Sequence, residues 1–281
     1  METKATDLQC CVTVCDRPLN ADYWNAQYQA GQTGWDLGMV SPPIKAFIDT
    51  LTDKNLRILI PGCGNAYEAE YLLNLGFQNI TLIDIAPTAV ESLQQKFAYR
   101  SEIKVVLGDF FAHQSEYDLI IEQTFFCALP PQWREKYVLK MFHLLANGGQ
   151  LAGLLFNRSF ESGPPFGGSA NEYKALFKDA FAFRQFDAAL NSAAPRAGSE
   201  LFIQLEKLSR QVSLYHFTGI TCSGCRSTII AQMKDVPGVL NASISSDFSN
   251  LLIVSEVPIS IATLQKAIAY DAKYGIEEIT A

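Results

Sequence analysis

The chain has 281 residues, of which 48% are hydrophobic and 18% charged, a balance typical of globular proteins and unlike disordered, collagen-like or coiled-coil chains. Its 22 Lys and Arg stand against 29 Asp and Glu, and the net charge of −7 argues against nucleic acid or an acidic membrane surface as a partner. This length allows one large α/β domain, or a catalytic domain with a small module.

The sequence has no apolar window that approaches the roughly 18 residues of a membrane span, and its first residues lack the basic and apolar regions of a secretory signal. The seven cysteines are an odd number scattered over the chain, which is not the spacing of a disulfide framework. These features predict a cytoplasmic protein that does not associate with membranes.

The predicted elements begin after an irregular tail, residues 1–20, in which Cys10, Cys11 and Cys15 have no assigned role. From Arg57 onward, short apolar runs alternate with helical patterns, in the order RILIPGCG, AYEAEYLLNLGF, NITLIDI, residues 87–99 and IKVVLGDF. The pattern continues with YDLIIEQ, a helix over residues 131–145, a stop at residues 147–149 and the strand QLAGLLF. Such alternation predicts an α/β domain with a parallel sheet.

The loop SFESGPPFGG then leaves the sheet, and loops at such places often carry substrate contacts. Two late strands, FAFRQFDAAL and ELFIQLEKL, close the first domain, and the polar residues 206–213 predict a short linker. A strand, a Cys-x-x-Cys loop, a helix over 226–234, two strands, a helix over 261–270 and a last strand follow, a βαββαβ pattern. The predicted units are a tail (1–20), a main domain (21–208) and a small α+β domain (213–281).

A glycine turn and two acidic strand ends indicate the ligand of the main domain. The PGCG turn at Gly62 offers backbone N–H groups to a ligand, but Tyr67 replaces the third glycine of the dinucleotide fingerprint, which disfavours NAD and FAD. Asp84, at the end of the next predicted strand, can accept hydrogen bonds from two ribose hydroxyls. Asp109 ends the third strand, where it can accept from an adenine amino group while Phe110 covers the ring. The set predicts a nucleoside without phosphates, although such acids also serve as helix caps and solvated turns.

The motifs YWNAQYQAGQTGWD, beginning at Tyr23, LIPGCGNAYE, LIDI, GDFF and QTFFCALPPQWR resemble the thiopurine S-methyltransferase family of class I S-adenosylmethionine (SAM) enzymes. The resemblance covers residues 23–207, and FFCALPP is most similar to the thiol and halide methyltransferase branch. It implies a class I SAM methyltransferase fold, Rossmann-like, with a mostly parallel seven-stranded sheet.

The resemblance places the family's SAM contacts on eight positions of this chain: Trp24, Tyr28, Trp35, Gly62, Asp84, Asp109, Phe110 and Gln123. Two positions depart from the family pattern, because Tyr28 replaces a common Trp and Gln123 stands where Tyr or Arg is usual. Gln123 lacks the charge with which Arg would bind the methionine carboxylate. Trp24 and Trp35 would shield the sulfonium from water and offer it π faces, unless they are ordinary core aromatics.

Methyl transfer from a sulfonium to an anionic acceptor depends on desolvation and alignment, and needs no dedicated base. His113, His143 and His216 have no evident catalytic partner, so we nominate no general base. The family's Pro-Arg-x-Gly-x-Glu pattern recurs at residues 195–200, and Arg196 is our candidate for favouring an anion in the acceptor pocket. A surface ion pair with Glu200 is the alternative.

Residues 125–127, Phe-Phe-Cys, follow the fourth predicted strand. We predict that they wall the acceptor pocket, with core packing as an equal alternative.

The sequence GITCSGC, which contains Cys222 and Cys225, resembles the heavy-metal-associated domain of copper chaperones and metal-transport ATPases over residues 213–281. Two thiolates on one loop can clamp a soft ion such as Cu(I), and a helix N-terminus lowers their pKa, whereas Mg and Ca prefer oxygen ligands. Ile220 replaces the family's usual Met. A thioredoxin-type redox pair and a degenerate module that only packs on the enzyme are the alternatives.

The sequence therefore predicts a SAM-dependent methyltransferase that acts on a small soft nucleophile (thiol, hydrosulfide, halide or thiopurine-like), with a soft-metal-binding module that senses or buffers a metal. Its partners would be a small-molecule acceptor and a soft metal ion, with no nucleic acid and no membrane. One alternative is a metal-binding or regulatory protein that keeps SAM as a ligand without turnover. Another is a methyltransferase that detoxifies selenite or tellurite.

Overall fold

The computed structural model describes residues 18–279, which form two β-sheets. The larger sheet contains the strands β1 (Arg57–Pro61), β2 (Asn79–Asp84), β3 (Ile103–Leu107), β4 (Tyr117–Gln123), β5 (Leu145–Phe156), β6 (Phe181–Ala188) and β7 (Glu200–Lys207). The smaller sheet contains β8 (Gln211–Thr218), β9 (Val239–Ile244), β10 (Asn250–Ser255) and β11 (Gly275–Glu278). The helices are α1 (Ala21–Gln29), α2 (Pro42–Ile48), α3 (Tyr67–Asn74), α4 (Pro87–Lys96), α5 (Phe125–Ala128), α6 (Arg134–Leu144), α7 (Ala170–Phe177), α8 (Ser223–Lys234) and α9 (Ile261–Ala267).

The larger sheet has seven strands in the order β3-β2-β1-β4-β5-β7-β6. Strands β1 to β5 run parallel, and β7 lies antiparallel between β5 and β6, so the predicted mostly parallel sheet is confirmed. Ile58, Leu59 and Ile60 of β1 are all buried, as expected where helices cover both faces of a parallel sheet. The strand order reverses between β1 and β4, and a ligand crevice forms at such a point, beyond the carboxyl ends of the strands.

Two buried clusters hold the helices on the faces of this sheet. On one face, α2, α3 and α4 pack through Ile48, Leu72 and Leu93. On the other face, α6 and α7 pack through side chains that include Tyr137 and Phe177. Burial of each large apolar side chain contributes roughly 1.5–3 kcal/mol, so the sheet is a firm platform for the loops at its carboxyl edge.

The smaller sheet has the order β11-β8-β10-β9, and all its neighbouring strands are antiparallel. Because side chains alternate along a strand, its two faces pack against different partners. Leu251 and Ile253 pack in a cluster with α8 and α9. Val212, Leu252 and Val254 point to the other face and belong to the buried cluster that contains α6. The smaller sheet is therefore covered by its own helices on one side and by the larger domain on the other.

Polar contacts reinforce this junction. The Ser243 hydroxyl donates to Glu135 Oε1 at 2.7 Å, and Asn241 Nδ2 donates to the carbonyls of Ala175 and Lys178 at 2.9 and 3.1 Å. The last carbonyls of a helix have no partner within it, so Asn241 caps the C-terminus of α7 from the smaller sheet. The smaller sheet is thus bonded directly to the two helices α6 and α7.

The predicted linker over residues 206–213 is shorter in the structure. β7 continues to Lys207 and β8 begins at Gln211, which leaves only residues 208–210 between them. The polar character of this stretch comes from the exposed face of a strand, where Glu206 pairs with Arg184 at 2.8 Å. The polar end of a strand has the composition of a linker, but hydrogen bonds to both neighbouring strands hold it in the sheet.

Two further boundaries differ from the sequence-based expectation. β5 begins at Leu145, ahead of the glycine stop predicted at residues 147–149. α8 begins at Ser223 rather than at residue 226, because the Cys222 sulfur accepts a hydrogen bond from Cys225 N at 3.3 Å and so caps the helix.

The predicted tail lies outside the described residues except for residues 18–20, and so do Cys10, Cys11 and Cys15. None of the helices within residues 18–279 combines the length and apolar character that crossing a membrane requires.

Candidate active site

A cavity of about 620 Å³ opens at the carboxyl ends of β1, β2 and β4. Its lining includes all eight predicted cofactor positions and the predicted acceptor-side arginine: Trp24, Tyr28, Trp35, Gly62, Asp84, Asp109, Phe110, Gln123 and Arg196. These residues come from almost the whole length of the larger domain. The fold brings them to one place, while their individual contacts with SAM stay predictions.

The glycine turn after β1 forms one wall of the cavity. Gly62 and Gly64 have φ angles of 55° and 51°, in the left-handed region that favours glycine. A Cβ on Gly62 would lie 2.2 Å from the ring of Phe125, and one on Gly64 would lie 3.0 Å from the hydroxyl of Tyr28. Both glycines are therefore required by conformation and by the aromatic side chains packed over them.

Asp84, the last residue of β2, faces this turn and is buried. Its Oδ2 accepts a hydrogen bond from Gly64 N and its Oδ1 accepts one from Ala86 N, both at 3.0 Å. Burial raises the pKa of Asp84, and these backbone donors oppose the shift. Each carboxylate oxygen has a second lone pair, so the side chain can still accept hydrogen bonds from a ligand in the cavity.

Asp109 and Phe110 follow the end of β3. Asp109 is exposed, and its Oδ1 accepts from Phe111 N at 2.8 Å, which forms a local turn. Phe110 is buried, and its ring meets that of Phe125 edge to face with centroids 5.1 Å apart. Asp109 therefore stabilises a turn, which is the alternative role for such an acid, and it also lines the cavity.

Three aromatic side chains from the N-terminal segment cover the cavity. Trp35 packs edge to face against both Trp24 and Tyr28, with centroid distances of 5.5 and 5.7 Å. All three are half-buried. Burial, together with the nearby carboxylate of Asp84, raises the pKa of Tyr28, which keeps its hydroxyl neutral.

Hydrogen bonds hold this N-terminal cover to the main sheet. The side-chain oxygen of Asn25 accepts from Thr88 N at 2.8 Å and so satisfies a free N–H in the first turn of α4. Asp36 Oδ2 accepts from the amide of Asn65 and from the hydroxyl of Tyr67, the latter at 3.2 Å. The aromatic cover is thus bonded to the glycine turn and to the helix that follows β2.

Arg196 also lines the cavity, and its side chain is buried. Its Nη1 pairs with Glu200 Oε1 at 3.2 Å, and its Nη2 donates to the carbonyl of Trp35 at 2.5 Å. Arg196 and Glu200 are 7% and 2% exposed, so the ion pair is not the surface pair that we considered from the sequence. The arginine is both neutralised by Glu200 and bonded to the aromatic cover.

Gln123 lies between this arginine and Glu68 of α3. With its amide oriented so that donors face acceptors, Gln123 donates to Glu68 Oε1 at 2.9 Å and accepts from Arg196 Nη1 at 3.3 Å. Glu68 is buried, and burial raises its pKa, against hydrogen bonds from its own backbone and from Ser41. Gln123 therefore bridges Arg196 and Glu68.

The remaining wall is made of aromatic rings and prolines. Trp133 packs against Phe111, and Phe160 packs against Phe156, both edge to face with centroids 5.5 and 5.0 Å apart. Pro164 and Pro165 of the loop after β5 complete this wall. The sequence predicts substrate contacts in this loop as a whole. No motif in the sequence identifies which residues of the loop face the cavity.

The prediction that residues 125–127 wall the pocket is right only for Phe125, which lines the cavity. Phe126 and Cys127 are completely buried in the core beneath it, so the core-packing alternative holds for them. α5 turns these two side chains away from the cavity, toward Tyr137 and Tyr173.

Glu122 is a buried acid directly under the cavity floor. Its Oε2 accepts from Phe126 N at 2.9 Å, and its Oε1 has no hydrogen-bond partner among residues 18–279. Burial raises the pKa of Glu122 to about 8, so the side chain is mostly protonated at neutral pH. Nothing in the sequence marks Glu122 as buried, because it lies within the strand YDLIIEQ as a solvent-facing polar residue would.

We expect Glu122→Gln to raise the free energy of unfolding at pH 7 by roughly 2 to 3 kcal/mol, because glutamine stays neutral and retains the oxygen that caps Phe126 N. The folded pKa exceeds the unfolded one, so this group's contribution to stability falls as pH rises from about 4.5 to about 8. Urea unfolding at pH 5, 7 and 8.5 measures the difference between variant and wild type. The exposed Glu91→Gln is the control. A difference that does not grow with pH would contradict the assignment.

The three histidines do not line the cavity. His113 Nε2 lies 2.7 Å from the hydroxyl of Tyr117, and the two rings stack.

In the smaller domain, the sulfur atoms of Cys222 and Cys225 lie 2.8 Å apart at the start of α8, and neither cysteine forms a disulfide. Hydrogen bonds from the Cys225 side chain and backbone lower the pKa of Cys222, and the nearby ammonium of Lys273 acts in the same direction. The part of the chain that the structure describes contains no cluster of three or more His, Cys, Asp or Glu side chains suited to a metal ion. The pair by itself offers two sulfur ligands.

Residues 19–211 match the family model described as Thiopurine S-methyltransferase (TPMT). The chain is 33% identical over 228 residues to "Probable thiol methyltransferase 2" of Arabidopsis thaliana, covering 76% of this chain and 97% of that protein. It is 25% identical over 193 residues to "Thiocyanate methyltransferase 1" of Brassica oleracea, covering 66% and 85%.

Solved structures share the fold. A Burkholderia thailandensis 1,6-didemethyltoxoflavin-N1-methyltransferase with bound S-adenosylhomocysteine aligns with a TM-score of 0.54 at 18% identity, covering 69% of this chain and 93% of that one. The SAM-bound magnesium protoporphyrin IX methyltransferase of Synechocystis PCC 6803 aligns with a TM-score of 0.52 at 16% identity, covering 67% and 95%. These likenesses show the class I SAM methyltransferase fold. Together with the family match, they establish that the chain belongs to the thiopurine S-methyltransferase family and is a SAM-dependent S-methyltransferase.

Proposed function

We propose that the chain transfers the methyl group of SAM to a small, soft, anionic nucleophile: a thiolate, hydrosulfide, thiocyanate, a halide or a thiopurine-like thiol. The observation that carries the proposal is the composition of the cavity wall formed by Trp133, Phe156, Phe160 and the two prolines. Among the described residues, this wall holds no histidine or carboxylate that could remove a proton. A nucleophile that is already anionic needs desolvation rather than a base.

The residues around the cavity fit the parts of SAM. Asp84, with its free lone pairs and its place beside Gly64, would hold the ribose hydroxyls. Asp109 would accept from the adenine amino group, with Phe110 against the ring. When bound, SAM supplies an electrophilic methyl group on a positively charged sulfur. Trp24 and Trp35 would exclude water from that sulfur and present π faces to its charge.

The acceptor side would act by shape and desolvation. Rings such as Phe111 and Trp133 would remove water from a soft anion while the wall aligns it with the methyl group. Desolvation and alignment together can supply a large share of the rate of such an in-line displacement. The names of the plant relatives, which specify thiol and thiocyanate, support an acceptor of this class.

The test supplies reduced, metal-free protein with methyl-labelled SAM and, in separate reactions, hydrosulfide, thiocyanate, iodide, 6-mercaptopurine, selenite and tellurite. Mass spectrometry scores both S-adenosylhomocysteine and the methylated product. Product from one of the first four supports the proposal. Product from selenite or tellurite alone would replace it with the detoxifying alternative, and tight SAM binding without any product would reject the proposed acceptor class.

For residues 213–279 we propose a heavy-metal-associated module of ferredoxin-like fold that binds a soft ion such as Cu(I) through Cys222 and Cys225. Support comes from the βαββαβ order of its elements and from the two sulfurs 2.8 Å apart at a helix start. Soft thiolates in low coordination suit Cu(I), and a lowered pKa favours the thiolate form.

We expect the protein to bind Cu(I) in anaerobic competition with bicinchoninate, and each of Cys222→Ser and Cys225→Ser to weaken this binding by at least about a hundredfold, because each removes one of two ligands. Ser227→Ala, at an exposed position of α8 outside the cysteine pair, is the control. Unaltered Cu(I) affinity in the double variant would reject the site.

The packing of the smaller sheet on α6 also motivates a functional link between the two domains. If the domains are coupled, one equivalent of Cu(I) will alter the methyl-transfer rate of the wild type but not of the double variant. An identical rate with and without Cu(I) would reject coupling while leaving the metal site intact.

A further inference from the structure

Two arginines line the cavity, and their electrostatic situations are opposite. Arg196 is buried, and Glu200 balances its charge at 3.2 Å. Arg158, the second residue after β5, is exposed at the acceptor side of the cavity. Within residues 18–279 its guanidinium forms no ion pair, and its only hydrogen bond runs from Nε to the carbonyl of Ser159 at 3.4 Å. Arg158 therefore presents an unbalanced positive charge to the cavity.

The structure holds Arg158 in place although its side chain is exposed. Its carbonyl accepts from Gly168 N at 3.1 Å, which closes the base of the loop over residues 158–168. Gly167 packs so tightly there that a Cβ would lie 1.7 Å from the same carbonyl. The guanidinium lies over the ring of Phe160, 4.8 Å from its centroid, and Phe160 itself lines the cavity. The positive charge of Arg158 therefore lies beside Phe160, a residue of the apolar cavity wall.

The other charged side chains of the cavity determine how strongly Arg158 would attract an anion. Asp36, Asp84 and Asp109 also line the cavity, and their carboxylates would repel an anionic acceptor. Arginine stays protonated at every relevant pH and can donate two parallel hydrogen bonds. A single unbalanced charge next to an apolar wall attracts a counter-charge more strongly than it would in open solvent.

We propose that Arg158 is a specificity-determining residue of the acceptor site and selects acceptors that carry negative charge. The inference rests on the proposed function, because it names the charge of the acceptor for the same cavity. Arg158 contacts the acceptor at the cavity entrance and takes no part in proton transfer. Arg196, the candidate from the sequence, differs in that Glu200 balances its charge and its Nη2 donates to the Trp35 carbonyl.

Three thiols of similar size test the proposal, because their second group differs in charge: mercaptoacetate (anionic carboxylate), 2-mercaptoethanol (neutral hydroxyl) and cysteamine (cationic ammonium). For Arg158→Gln we expect kcat/KM for mercaptoacetate to fall about tenfold relative to kcat/KM for 2-mercaptoethanol, mainly through a higher KM. A tenfold loss is the effect expected from removing one exposed charge-assisted hydrogen bond. Arg158→Glu should shift the preference toward cysteamine, and Arg158→Lys should retain most of the wild-type preference. Each variant is compared with wild type on the same thiol, so intrinsic differences in thiol reactivity cancel.

Arg100→Gln is the matched control, because it removes the same charge from an exposed arginine outside the cavity. It should leave the three ratios at their wild-type values. Added KCl should raise the wild-type KM for mercaptoacetate and should have a smaller effect in Arg158→Gln, since salt screens the exposed charge.

The outcomes separate the two proposals. If Arg158→Gln and Arg158→Glu bind SAM with wild-type affinity and keep the wild-type ratios, the role of Arg158 is overturned and the proposed function stands. If the wild type methylates none of the three thiols and none of hydrosulfide, thiocyanate, iodide or 6-mercaptopurine, the proposed function fails and the inference fails with it.

Discussion

Replacing Asp84 with alanine is expected to weaken SAM binding by about a hundredfold or more, since each hydrogen bond to a charged group contributes roughly 1.5–3 kcal/mol and the ribose offers two hydroxyls. Asp84 is buried at the end of β2, with both carboxylate oxygens held by backbone N–H groups of Gly64 and Ala86. A ligand hydroxyl would therefore meet an acceptor that is already oriented. No other described carboxylate lies at this strand end to replace it.

Isothermal titration calorimetry with SAM and with S-adenosylhomocysteine measures this loss. Because Asp84 also orders the glycine turn, the melting temperature without ligand must be recorded for each variant, and Asp84→Asn provides a variant that retains one acceptor oxygen. Asp187→Ala removes an exposed carboxylate from β6, away from the cavity, and is the control. Wild-type affinity in Asp84→Ala would remove Asp84 from the cofactor site.

Replacing Arg196 with alanine is expected to lower the free energy of unfolding by about 3–5 kcal/mol, the typical result of leaving one partner of a buried ion pair without its counter-charge. Glu200 is 2% exposed and would remain buried. The same substitution removes the hydrogen bond to the Trp35 carbonyl, so the aromatic cover should also loosen. We therefore expect weaker SAM binding together with the loss of stability.

Guanidinium chloride unfolding measures the stability, and the fluorescence of Trp24 and Trp35 reports on the cover. The double variant Arg196→Met/Glu200→Gln should recover most of the lost stability, because no buried charge remains. Arg184→Ala, which breaks an exposed pair with Glu206 in the same sheet, is the control and should change stability little. Unchanged stability with a selective rise in the acceptor KM would instead support the anion-binding role.

The two arginines illustrate how far sequence reasoning could reach. The motif at residues 195–200 marked Arg196, but burial and the pairing with Glu200 depend on where β7 enters the sheet. Arg158 lies in no recognisable motif, and it becomes notable only because the loop after β5 folds back on itself beside the cavity. Whether an arginine has a carboxylate to balance its charge depends on which side chains the fold brings next to it.

Other features were open to prediction because they are local. The alternation of apolar runs and helical patterns predicted the parallel strands, since apolar periodicity reflects which face of each element is buried. The glycine turn and Asp84 could be paired from the sequence because the carboxyl ends of adjacent parallel strands meet at one edge. The linker over residues 206–213 is predicted too long for the converse reason, because a polar strand end and a linker have the same composition.

The sequence by itself thus determined the order of elements, the glycine turn, the acids at strand ends and the Cys222 and Cys225 pair, all of which depend on residues close together in the chain. Only the tertiary structure decided that Arg196 bonds to Trp35, that Phe125 faces the cavity while Phe126 faces the core, and that the smaller sheet packs on α6. Burial, desolvation and charge pairing act between residues that are distant in sequence, and their free energies exist only once the chain has brought those residues together.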